Sequence, residues 1–408
     1  MELIEIISKK SLCFQCGTCA SICKKNCIKM ERNLEKGLVL PNIINRKDCT
    51  NCKLCEKVCP VLNINTPEDQ FKCEEISIYK SLDREIYIRS SSGGVVGSTL
   101  KYLLDKKIIN RALVAGINGI YSEPQWIDDV SQINKIQGSK YQPIALNELL
   151  KDVKKGDKIA VVGLPCHISG VEKLCKVSKI LNDAIVFKIG IFCTIGRGMN
   201  STSLALNNVK ENISGDLIYR DNNHPGNMVI KHNNKEIKIT EHKKFLDDGD
   251  YIFYPKGCLF CNDLFNVKSD ISVGDPWGLN NEKSALTLAR TQYSKVILDN
   301  MVEEKYISKI KDVSKKEAES TQQHSYDFKI VKYNERYNLC KGALNGLNID
   351  NDIIHQNSSV GLKYKMAIKF LYLNSIIFNS KIGLAIVNNK LSFKLIKKYR
   401  NFILRNGV

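Results

Sequence analysis

Two cysteine runs with the same spacing constrain this 408-residue chain more than any other feature of its sequence. Both runs follow the order C-x2-C-x2-C-x3-C. The first run is Cys13, Cys16, Cys19 and Cys23, and the second is Cys49, Cys52, Cys55 and Cys59. Two-residue gaps let a tight loop aim three successive thiolates at one centre, while the fourth ligand of a 4Fe-4S cluster comes from further away. The repeat therefore predicts two 4Fe-4S clusters in residues 1–65.

The assignment of ligands follows from the pattern of bacterial two-cluster ferredoxins, in which the fourth cysteine of each run serves the other cluster. We expect one cluster on Cys13, Cys16, Cys19 and Cys59, and the second on Cys49, Cys52, Cys55 and Cys23. Two structural zinc sites are the alternative, but three cysteines at two-residue gaps plus a fourth, twice over, favour 4Fe-4S clusters. Lys24 stands where the ferredoxin pattern usually has proline, and the nearby Cys27 is an alternative to Cys23 as ligand.

The use of cysteine also bears on the compartment. The opening segment MELIEIISKK lacks the basic, apolar and small-residue regions of an export signal, so we expect a cytoplasmic location. In such a compartment clustered cysteines are typical of metal ligands rather than of disulfides. A composition of 43% hydrophobic and 25% charged residues is that of a soluble globular protein.

Hydrophobic patterning predicts an α/β (α+β) catalytic domain fused to a small N-terminal ferredoxin-like α+β domain, with a mostly helical C-terminal tail. We expect the ferredoxin-type domain at 1–65, a polar linker at 66–75, regions at 76–155 and 156–340, and the tail at 341–408. The runs IAVVG and AIVFKIGIF, at 159–163 and 184–192, predict buried strands of a βαβ unit.

A second group of cysteines follows the ends of these predicted strands. Cys166 comes just after IAVVG and Cys193 just after AIVFKIGIF, so parallel neighbouring strands would place both thiols at one carboxyl edge. Cys258 and Cys261 form a further C-x2-C pair. Spacing alone leaves two interpretations equally open, a third cluster on these four residues or ordinary core cysteines.

Six phrases in order resemble the family of beta subunits of coenzyme F420-reducing hydrogenases and dehydrogenases. They are SSSGG at 90–94, GSKY at 138–141, VVGLPCH at 161–167, GIFC at 190–193, CLFC at 258–261 and DISVGDPWG at 270–278. The resemblance covers about residues 10–340. It implies bound FAD and an adjacent 4Fe-4S cluster, with Cys166, Cys193, Cys258 and Cys261 as its ligands, and it makes 76–155 a flavin-binding region and 156–340 the region of that cluster.

The same phrases supply the residues that we expect to bind the flavin. They are Ser91, Ser92, Gly93, Gly94, Gly138, Ser139, Lys140, Tyr141, Asp275 and Trp277. The serine-glycine turn precedes a predicted helix, where free N–H groups hold phosphates. An ordinary serine N-cap, a solvated Lys140 and a structural turn at Asp275 are the alternatives. We expect His167 to be a hydrogen-bonding support, and no catalytic residue is assigned.

Together these patterns predict an oxidoreductase in which electrons pass between 4Fe-4S clusters and FAD, with hydride exchange to a soluble carrier such as coenzyme F420 or to another small substrate. The alternative is a non-catalytic electron-transfer subunit. A redox partner protein is expected in either case. The net charge of +18 is the only feature that favours nucleic-acid binding. We expect none, because the basic residues are not part of a recognition motif.

Much of the positive charge lies in the tail, which has no Asp or Glu after Asp352. Basic residues interleaved with Phe, Leu, Ile and Tyr are typical of helices that dock on an anionic membrane or on a partner protein. They are equally typical of a helical cap whose basic face is solvated. Both interpretations stay open at this stage.

Overall fold

The computed structural model describes residues 2–64, 67–207, 214–221, 226–232, 235–249, 251–280, 282–347, 349 and 360–405. Residues 65 and 66, where the predicted ferredoxin-type domain meets the predicted linker, lie outside this part of the chain, as do residues 350–359 of the predicted tail.

Within the described residues the helices are α1 (Glu2–Lys9), α2 (Thr18–Ile22), α3 (Leu54–Lys57), α4 (Arg84–Arg89), α5 (Val95–Asp105), α6 (Ile133–Ile136), α7 (Pro165–Val177), α8 (Lys179–Ala184), α9 (Met199–Leu206), α10 (His242–Gly249), α11 (Gln292–Glu303), α12 (Lys315–Ser320), α13 (Gln323–Tyr326), α14 (Tyr333–Cys340), α15 (Leu362–Ile377), α16 (Lys381–Asn388) and α17 (Lys390–Arg405). Turns of 3-10 helix span Val61–Asn63, Val130–Gln132, Leu146–Asp152, Lys256–Phe260 and Lys341–Leu344, and a π-helical turn spans Asp327–Val331.

The strands are β1 (Ile28–Asn33), β2 (Leu38–Ile43), β3 (Glu75–Ser81), β4 (Arg111–Asn118), β5 (Tyr121–Ile127), β6 (Ile159–Gly163), β7 (Ile185–Ile191), β8 (Asp216–Ile218), β9 (Asn227–His232), β10 (Lys235–Glu241), β11 (Ile271–Gly274), β12 (Ala285–Ala289) and β13 (Ile307–Asp312). They confirm the predicted mixed α/β class. They also place both predicted strands of the βαβ unit, as β6 and β7.

An eight-stranded sheet forms the centre of the molecule, in the order β13-β3-β12-β11-β7-β6-β4-β5. Its middle strands β4, β6, β7 and β11 are parallel, whereas β5, β12, β3 and β13 extend both edges as antiparallel partners. The strands β6, β7 and β11 are short and mostly apolar, as expected of parallel strands that are covered on both faces. The carboxyl ends of β6, β7 and β11 therefore lie side by side.

Two buried clusters cover the two faces of this sheet. On one face α5 and α11 contribute Val95, Leu100, Ile297 and Leu298 to the core. On the other face α7 packs Ile168, Val171 and Leu174 together with Ile4, Ile7 and Val58 of the N-terminal region. The N-terminal region thus shares a hydrophobic core with the sheet.

The N-terminal region itself is a small α+β unit. An antiparallel hairpin pairs β1 with β2, from Ile28 opposite Ile43 to Asn33 opposite Leu38. The helix α1 begins with acidic residues and ends with Lys9, which suits the helix dipole, and it buries Ile4 and Ile7 one turn apart. This arrangement agrees with the predicted ferredoxin-like architecture.

Residues 67–75, predicted as a polar linker, are fixed by buried polar contacts. The Gln70 side-chain oxygen accepts from the N–H groups of Leu264 and Phe265 at 3.0 and 3.2 Å. The Arg290 guanidinium donates to the carbonyl of Gln70 at 2.8 Å and to that of Lys72 at 3.3 Å. This segment is a packed strap rather than a free tether.

The C-terminal helices pack beside the same unit. The helix α15 buries Tyr364, Ile368 and Leu371 against the core that includes α14. Among the described residues no single helix has both the length and the apolar character needed to cross a membrane. The helices α15 and α16 meet those criteria only when taken together, and they are bent by 102° relative to each other.

Candidate iron-sulfur and cofactor site

Four of the eight cysteines in the N-terminal runs surround one small cavity. The thiols of Cys13, Cys16, Cys19 and Cys59 line it, with Ile4, Ile7 and Val61 closing its walls. All four cysteines are buried. Burial, followed by the neighbouring Cys16 and Cys59 thiols, raises the pKa of Cys13 well above its ordinary value. We call this set the inner centre, and it is the set that the crossed ferredoxin pattern predicts.

The two cysteine loops repeat one backbone conformation. Gln15 and Gly17 have φ of 63° and 83° in the first loop, and Asn51 and Lys53 have φ of 52° and 58° at the equivalent places in the second. The N–H of Gln15 donates to the Cys13 sulfur at 3.2 Å, and the N–H of Asn51 donates to the Cys49 sulfur at 3.4 Å. Backbone donors aimed at cysteine sulfur are one of the contacts that tune a bound 4Fe-4S cluster.

The remaining four cysteines of the runs form the outer centre, Cys23, Cys49, Cys52 and Cys55. Cys55 is buried, Cys23 and Cys49 are half-buried, and Cys52 is exposed. Burial, then the Glu56 carboxylate and last the Cys23 thiol, raise the pKa of Cys55, so the Cys23 thiol is close to Cys55. This centre therefore lies at the molecular surface.

Cys27 belongs to the surroundings of the outer centre. It is buried, and its N–H donates to the Cys23 sulfur at 3.3 Å. Burial, then the Cys23 thiol, raises the pKa of Cys27 to about 11. The Cys23 sulfur thus accepts from Cys27, a contact in keeping with Cys23 as the ligand and Cys27 as its neighbour.

Exposed lysines stand next to or near the cysteines of the outer centre in the sequence. They are Lys24 and Lys25 after Cys23, Lys47 before Cys49, and Lys53 and Lys57 around Cys55. Asp48 is the exposed acidic residue among them. We call these five lysines the basic rim. It gives the solvent-facing cysteines a positive surrounding.

Cys166 and Cys193 emerge from parallel neighbours, which confirms the predicted strand pairing. Gly163 of β6 lies opposite Gly190 of β7, and each cysteine follows its paired glycine by three residues. The Asn266 amide donates to the carbonyls of Gly163 and Ile191 at 2.9 and 3.4 Å. Because this amide joins both strand ends, it fixes the separation of the two cysteines.

Cys258 and Cys261 lie in and just after the 3-10 turn Lys256–Phe260, and buried cations hold this turn from behind. The Arg336 guanidinium donates to the carbonyls of Leu259 and Cys261 at 2.9 and 2.8 Å. The Lys329 ammonium, on a side chain only 1% exposed, donates to the Cys261 sulfur at 3.2 Å and to the Asp263 carbonyl at 2.6 Å. Burial by itself would lower the pKa of Lys329. The negative charges of Cys261, Cys193 and Asp263 have the larger effect, so the pKa of Lys329 is raised.

The thiols of Cys166, Cys193, Cys258 and Cys261 influence one another electrostatically. Burial raises the pKa of Cys166 well above its ordinary value, and Cys16, Cys193, Cys261 and Cys258 raise it further. We call these four cysteines the third centre. A buried ammonium beside four thiols suits a group of net negative charge, as a 4Fe-4S cluster with four thiolates is.

The inner and third centres are adjacent. Phe14 and Pro60 line the inner cavity and also line a second cavity of about 120 Å³ that reaches Cys166 and Cys261. The Asn147 amide links the two cysteine loops, since it donates to the Thr18 hydroxyl at 3.0 Å and to the His167 carbonyl at 2.8 Å. The two sets of cysteines are therefore built into one packed unit.

In the described part of the chain, no group of three or more His, Cys, Asp or Glu side chains is arranged to hold a single metal ion. A 4Fe-4S cluster is larger than one ion, so its four cysteine sulfurs stand further apart. The inner centre is therefore defined by the cavity that its four cysteines line, and the third centre by the mutual influence of its thiols. The outer centre is defined by the spacing of the two cysteine runs and by the influence of Cys23 on Cys55.

Three of the phrases that carry the resemblance meet above the strand ends. The Ser91 hydroxyl accepts from the N–H of Ser139 at 2.7 Å, which joins the serine-glycine turn to the GSKY segment. The Ser92 hydroxyl donates to an Asp275 carboxylate oxygen at 2.6 Å, which joins the same turn to the loop after β11. Gly94 has φ of 77° at the N-cap of α5, and a side chain at Gly93 would meet the backbone of Ser284 and Ala285 at 2.7 Å.

Lys140 and Tyr141 extend this cluster. The Lys140 ammonium donates to the carbonyls of Ile136, Gln137 and Gly138 at the end of α6, and burial lowers its pKa to about 7. Tyr141 packs edge-on to Tyr219, with ring centroids 5.4 Å apart. Trp277 is 56% exposed, beside Asp275. The predicted flavin-binding residues thus share one region, with a half-buried amine at Lys140 and an exposed ring at Trp277.

His167 has a supporting position, as expected. Its Nδ1 accepts from the Leu164 N–H at 3.1 Å, so its Nε2 donates to the Ile144 carbonyl at 2.9 Å. Burial lowers the pKa of His167 to about 4, although the Ile144 carbonyl acts against the shift. The neutral ring holds the turn that carries Cys166.

Sequence reasoning missed the polar residues that assemble these centres, namely Asn147, Asn266, Lys329 and Arg336. One sequence feature could have indicated that Lys329 is buried: it is a basic residue inside the apolar stretch FKIV. The two asparagines stand in ordinary loop sequence.

Comparison with known proteins identifies the family. It is described as coenzyme F420 hydrogenase/dehydrogenase, beta subunit; residues 79–151 match its N-terminal part and residues 156–316 match its C terminus. The chain belongs to this family. Residues 12–63 match the 4Fe-4S dicluster domain, which supports the predicted 4Fe-4S clusters in the N-terminal region of this beta-subunit homologue.

The sequence identity to individual members of the family is low. The beta-subunit homologue is 27% identical over 288 residues to the coenzyme F420-dependent sulfite reductase of Methanocaldococcus jannaschii, a match that covers 67% of this chain and 43% of that protein. It is 24% identical to a coenzyme F420 hydrogenase beta subunit of Methanosarcina barkeri, with 57% of this chain and 81% of the relative covered. The chain therefore spans less than half the length of the first of these relatives.

A solved structure has the same fold. A chain of the F420-reducing [NiFe] hydrogenase complex from Methanosarcina barkeri matches with a TM-score of 0.53 at 18% identity, covering 66% of this chain and 94% of that one. This likeness in fold agrees with the family matches, and the N-terminal match adds a 4Fe-4S dicluster domain.

Proposed function

We propose that this protein is an iron-sulfur flavoprotein that passes electrons between 4Fe-4S clusters and FAD and exchanges hydride with coenzyme F420 or another small substrate. One observation carries the proposal: hydrogen bonds join the serine-glycine turn to GSKY through Ser91 and to the GDPWG loop through Ser92. One of the joined segments, the GDPWG loop, follows β11, the parallel neighbour of β7, and Cys193 follows the end of β7.

The residues present fit FAD in their chemistry. The turn before α5 offers backbone N–H groups, Lys140 offers a half-buried amine whose pKa is lowered to about 7, and Trp277 offers an exposed ring. The residues that would hold FAD are Ser91, Ser92, Gly93, Gly94, Gly138, Ser139, Lys140, Tyr141, Asp275 and Trp277. When bound, FAD supplies the exchange between two-electron hydride chemistry and single-electron transfer.

The arrangement of cysteines supports an order for the route. Cys52 opens the outer centre to solvent, the inner centre lies behind it, and Cys16 is close enough to Cys166 to affect its pKa. We infer a path from the surface through the outer and inner centres to the third centre, and on to the flavin region. The basic rim suits an acidic redox partner protein at its outer end.

The test is anaerobic purification with iron, acid-labile sulfide and flavin measured per chain. We expect about twelve irons, for three clusters of four, and one FAD. The loaded protein should then reduce or oxidise coenzyme F420 with an artificial one-electron partner such as methyl viologen. A yield of about eight irons and no flavin would reject both the third cluster and the flavin site.

The second candidate is a non-catalytic electron-transfer subunit. The relatives named as parts of hydrogenases favour it, as does the 43% coverage of the sulfite reductase. The isolated chain separates the two functions. An isolated protein with all its clusters and flavin that exchanges electrons with viologen but with no hydride carrier would favour the electron-transfer role.

A further inference from the structure

The C-terminal helices expose an unusual amount of apolar surface. Half of the large apolar side chains that are exposed in the described residues lie in this short part of the chain. They are Leu362, Met366, Leu373, Ile376, Ile377, Ile382, Ile386, Leu391 and Leu395, which we call the tail surface. Soluble proteins seldom leave such residues clustered in water unless the surface binds something.

The helix α15 carries two apolar stripes on opposite sides. Its inner stripe, Tyr364, Ala367, Ile368 and Leu371, is buried against the protein. At about 100° per residue, the exposed Leu362, Met366, Leu373, Ile376 and Ile377 fall within an arc of about 100° on the opposite side. Packing against the protein accounts for the inner stripe alone, so the outer stripe needs another apolar partner.

The helix α17 also has one side that faces the protein and one exposed apolar side, and its exposed surface carries lysines. Lys397 pairs with Asp248, and Arg400 pairs with Asp247 at 3.8 Å, so these contacts turn one side of the helix toward α10. The opposite side presents Leu391 and Leu395, and the exposed Lys394 and Lys398 lie along one border of these leucines. Leucines flanked by lysines are the composition of helices that lie in a membrane interface.

The charge of the whole segment points to the nature of the partner. The described residues 360–405 include ten Lys and Arg and no Asp or Glu. A phosphate-bearing lipid surface complements both kinds of side chain: its phosphates would pair with the basic residues, and its apolar interior would accept the exposed apolar residues. Each helix here is by itself too short or too polar to cross a bilayer. The helices α15 and α16 together would be long enough, but the 102° bend between them interrupts a straight span.

We propose that the tail surface binds an anionic lipid bilayer in the plane of its interface. The apolar side chains of α15, α16 and α17 enter the headgroup boundary, while lysines such as Lys394 and Lys398 contact lipid phosphates. This inference does not depend on the proposed redox function. It places the protein against a membrane without a spanning segment.

The test is co-sedimentation of the full-length protein, purified anaerobically with its clusters, with two kinds of vesicle. One kind is phosphatidylcholine alone, and the other is phosphatidylcholine mixed with phosphatidylglycerol. We expect binding to the mixed vesicles and little to phosphatidylcholine alone. The double variant Leu373→Gln/Ile377→Gln should lower the partition coefficient about tenfold or more, because two apolar side chains no longer enter the lipid.

A second variant isolates the charge. Lys394→Gln/Lys398→Gln should weaken binding to the mixed vesicles by about tenfold or more at low ionic strength and leave phosphatidylcholine unaffected. The matched control is Leu34→Gln/Ile180→Gln, which removes two exposed apolar side chains elsewhere and should bind as the wild type does. Iron content and the visible spectrum show that each variant remains folded.

Four results would overturn the proposal. The first is a wild type that binds neither vesicle, and the second is equal binding by the wild type and the Leu373→Gln/Ile377→Gln variant. The third is a dimer that forms without lipid and is lost in that variant, because the tail surface would then join two copies of this chain. Resistance to a carbonate wash would also reject binding at the interface, in favour of deeper insertion.

Discussion

The two cysteine loops of the N-terminal region have the same spacing and the same backbone conformation, yet their surroundings differ. The first loop is buried on the sheet, where the Cys16 carbonyl accepts from the N–H of Asn147 at 2.9 Å. The second loop faces solvent, and its Cys52 is exposed. Spacing therefore encodes how a loop presents its thiols, whereas the neighbours of the loop decide whether the centre faces the protein interior or an outside partner.

The largest expected effect concerns the crossed fourth ligands. Cys59→Ala should remove the inner cluster, with a loss of about four irons per chain. The outer cluster would remain, and an iron chelator in solution should remove its iron readily because Cys52 is exposed. Cys23→Ala should also remove about four irons but leave the chelator-resistant inner cluster. Identical chelator sensitivity in the two variants would contradict the crossed assignment. Colorimetric iron analysis over time makes the measurement.

The next effect concerns the packing of the first loop. A side chain at Gly17, where φ is 83°, would meet the Ala145 carbonyl oxygen and the Glu148 nitrogen at 2.7 Å. Gly17→Ala should lower the free energy of unfolding by about 3 kcal/mol, from the left-handed backbone and the clash together.

The control is the equivalent position of the second loop. Lys53→Ala keeps the left-handed backbone without a clash and should change the unfolding free energy by about 0.5 kcal/mol or less. Anaerobic urea titrations measure both variants. Equal losses would show that the two loops do not differ in packing.

A smaller effect concerns the basic rim. Lys47→Glu/Lys53→Glu should slow electron transfer from an acidic ferredoxin by about tenfold at low ionic strength, with rates that converge at high salt. Lys315→Glu/Lys316→Glu makes the same charge change on α12, which packs against β3 and β12 of the sheet, and should leave the rate unchanged. Stopped-flow kinetics provide the rates, and an equal slowing in both variants would reject a local docking surface.

The smallest effect is expected at Cys27. Because Cys23 accepts a hydrogen bond from Cys27 and matches the ligand spacing, Cys27→Ala should retain all the iron and the same electron paramagnetic resonance spectrum. The loss in stability should be about 1 kcal/mol or less. A loss of about four irons would instead make Cys27 the ligand and Cys23 its neighbour.

Sequence patterns predicted what depends on local spacing. The cysteine runs, the βαβ unit and the strand ends at Cys166 and Cys193 follow from short segments that behave alike in many chains. The contacts of Asn147, Asn266 and Lys329 could not be predicted in this way, because each joins segments far apart in the chain and leaves no periodic signal. The outer stripe of α15 was hidden as well, since the sequence does not say which side of an apolar helix packs inward.

The strap formed by Gln70 and Arg290 has a kinetic consequence. It ties the segment after the N-terminal region to the turn at Leu264 and Phe265, close to the third centre, so this connection does not act as a tether on which the region swings. The inner and third centres, as electron donor and acceptor, then stay at a fixed separation, which corresponds to a fixed effective concentration. Transfer between the inner and third centres should proceed at the same rate in dilute and in concentrated solution, without a docking step and with no dependence on viscosity.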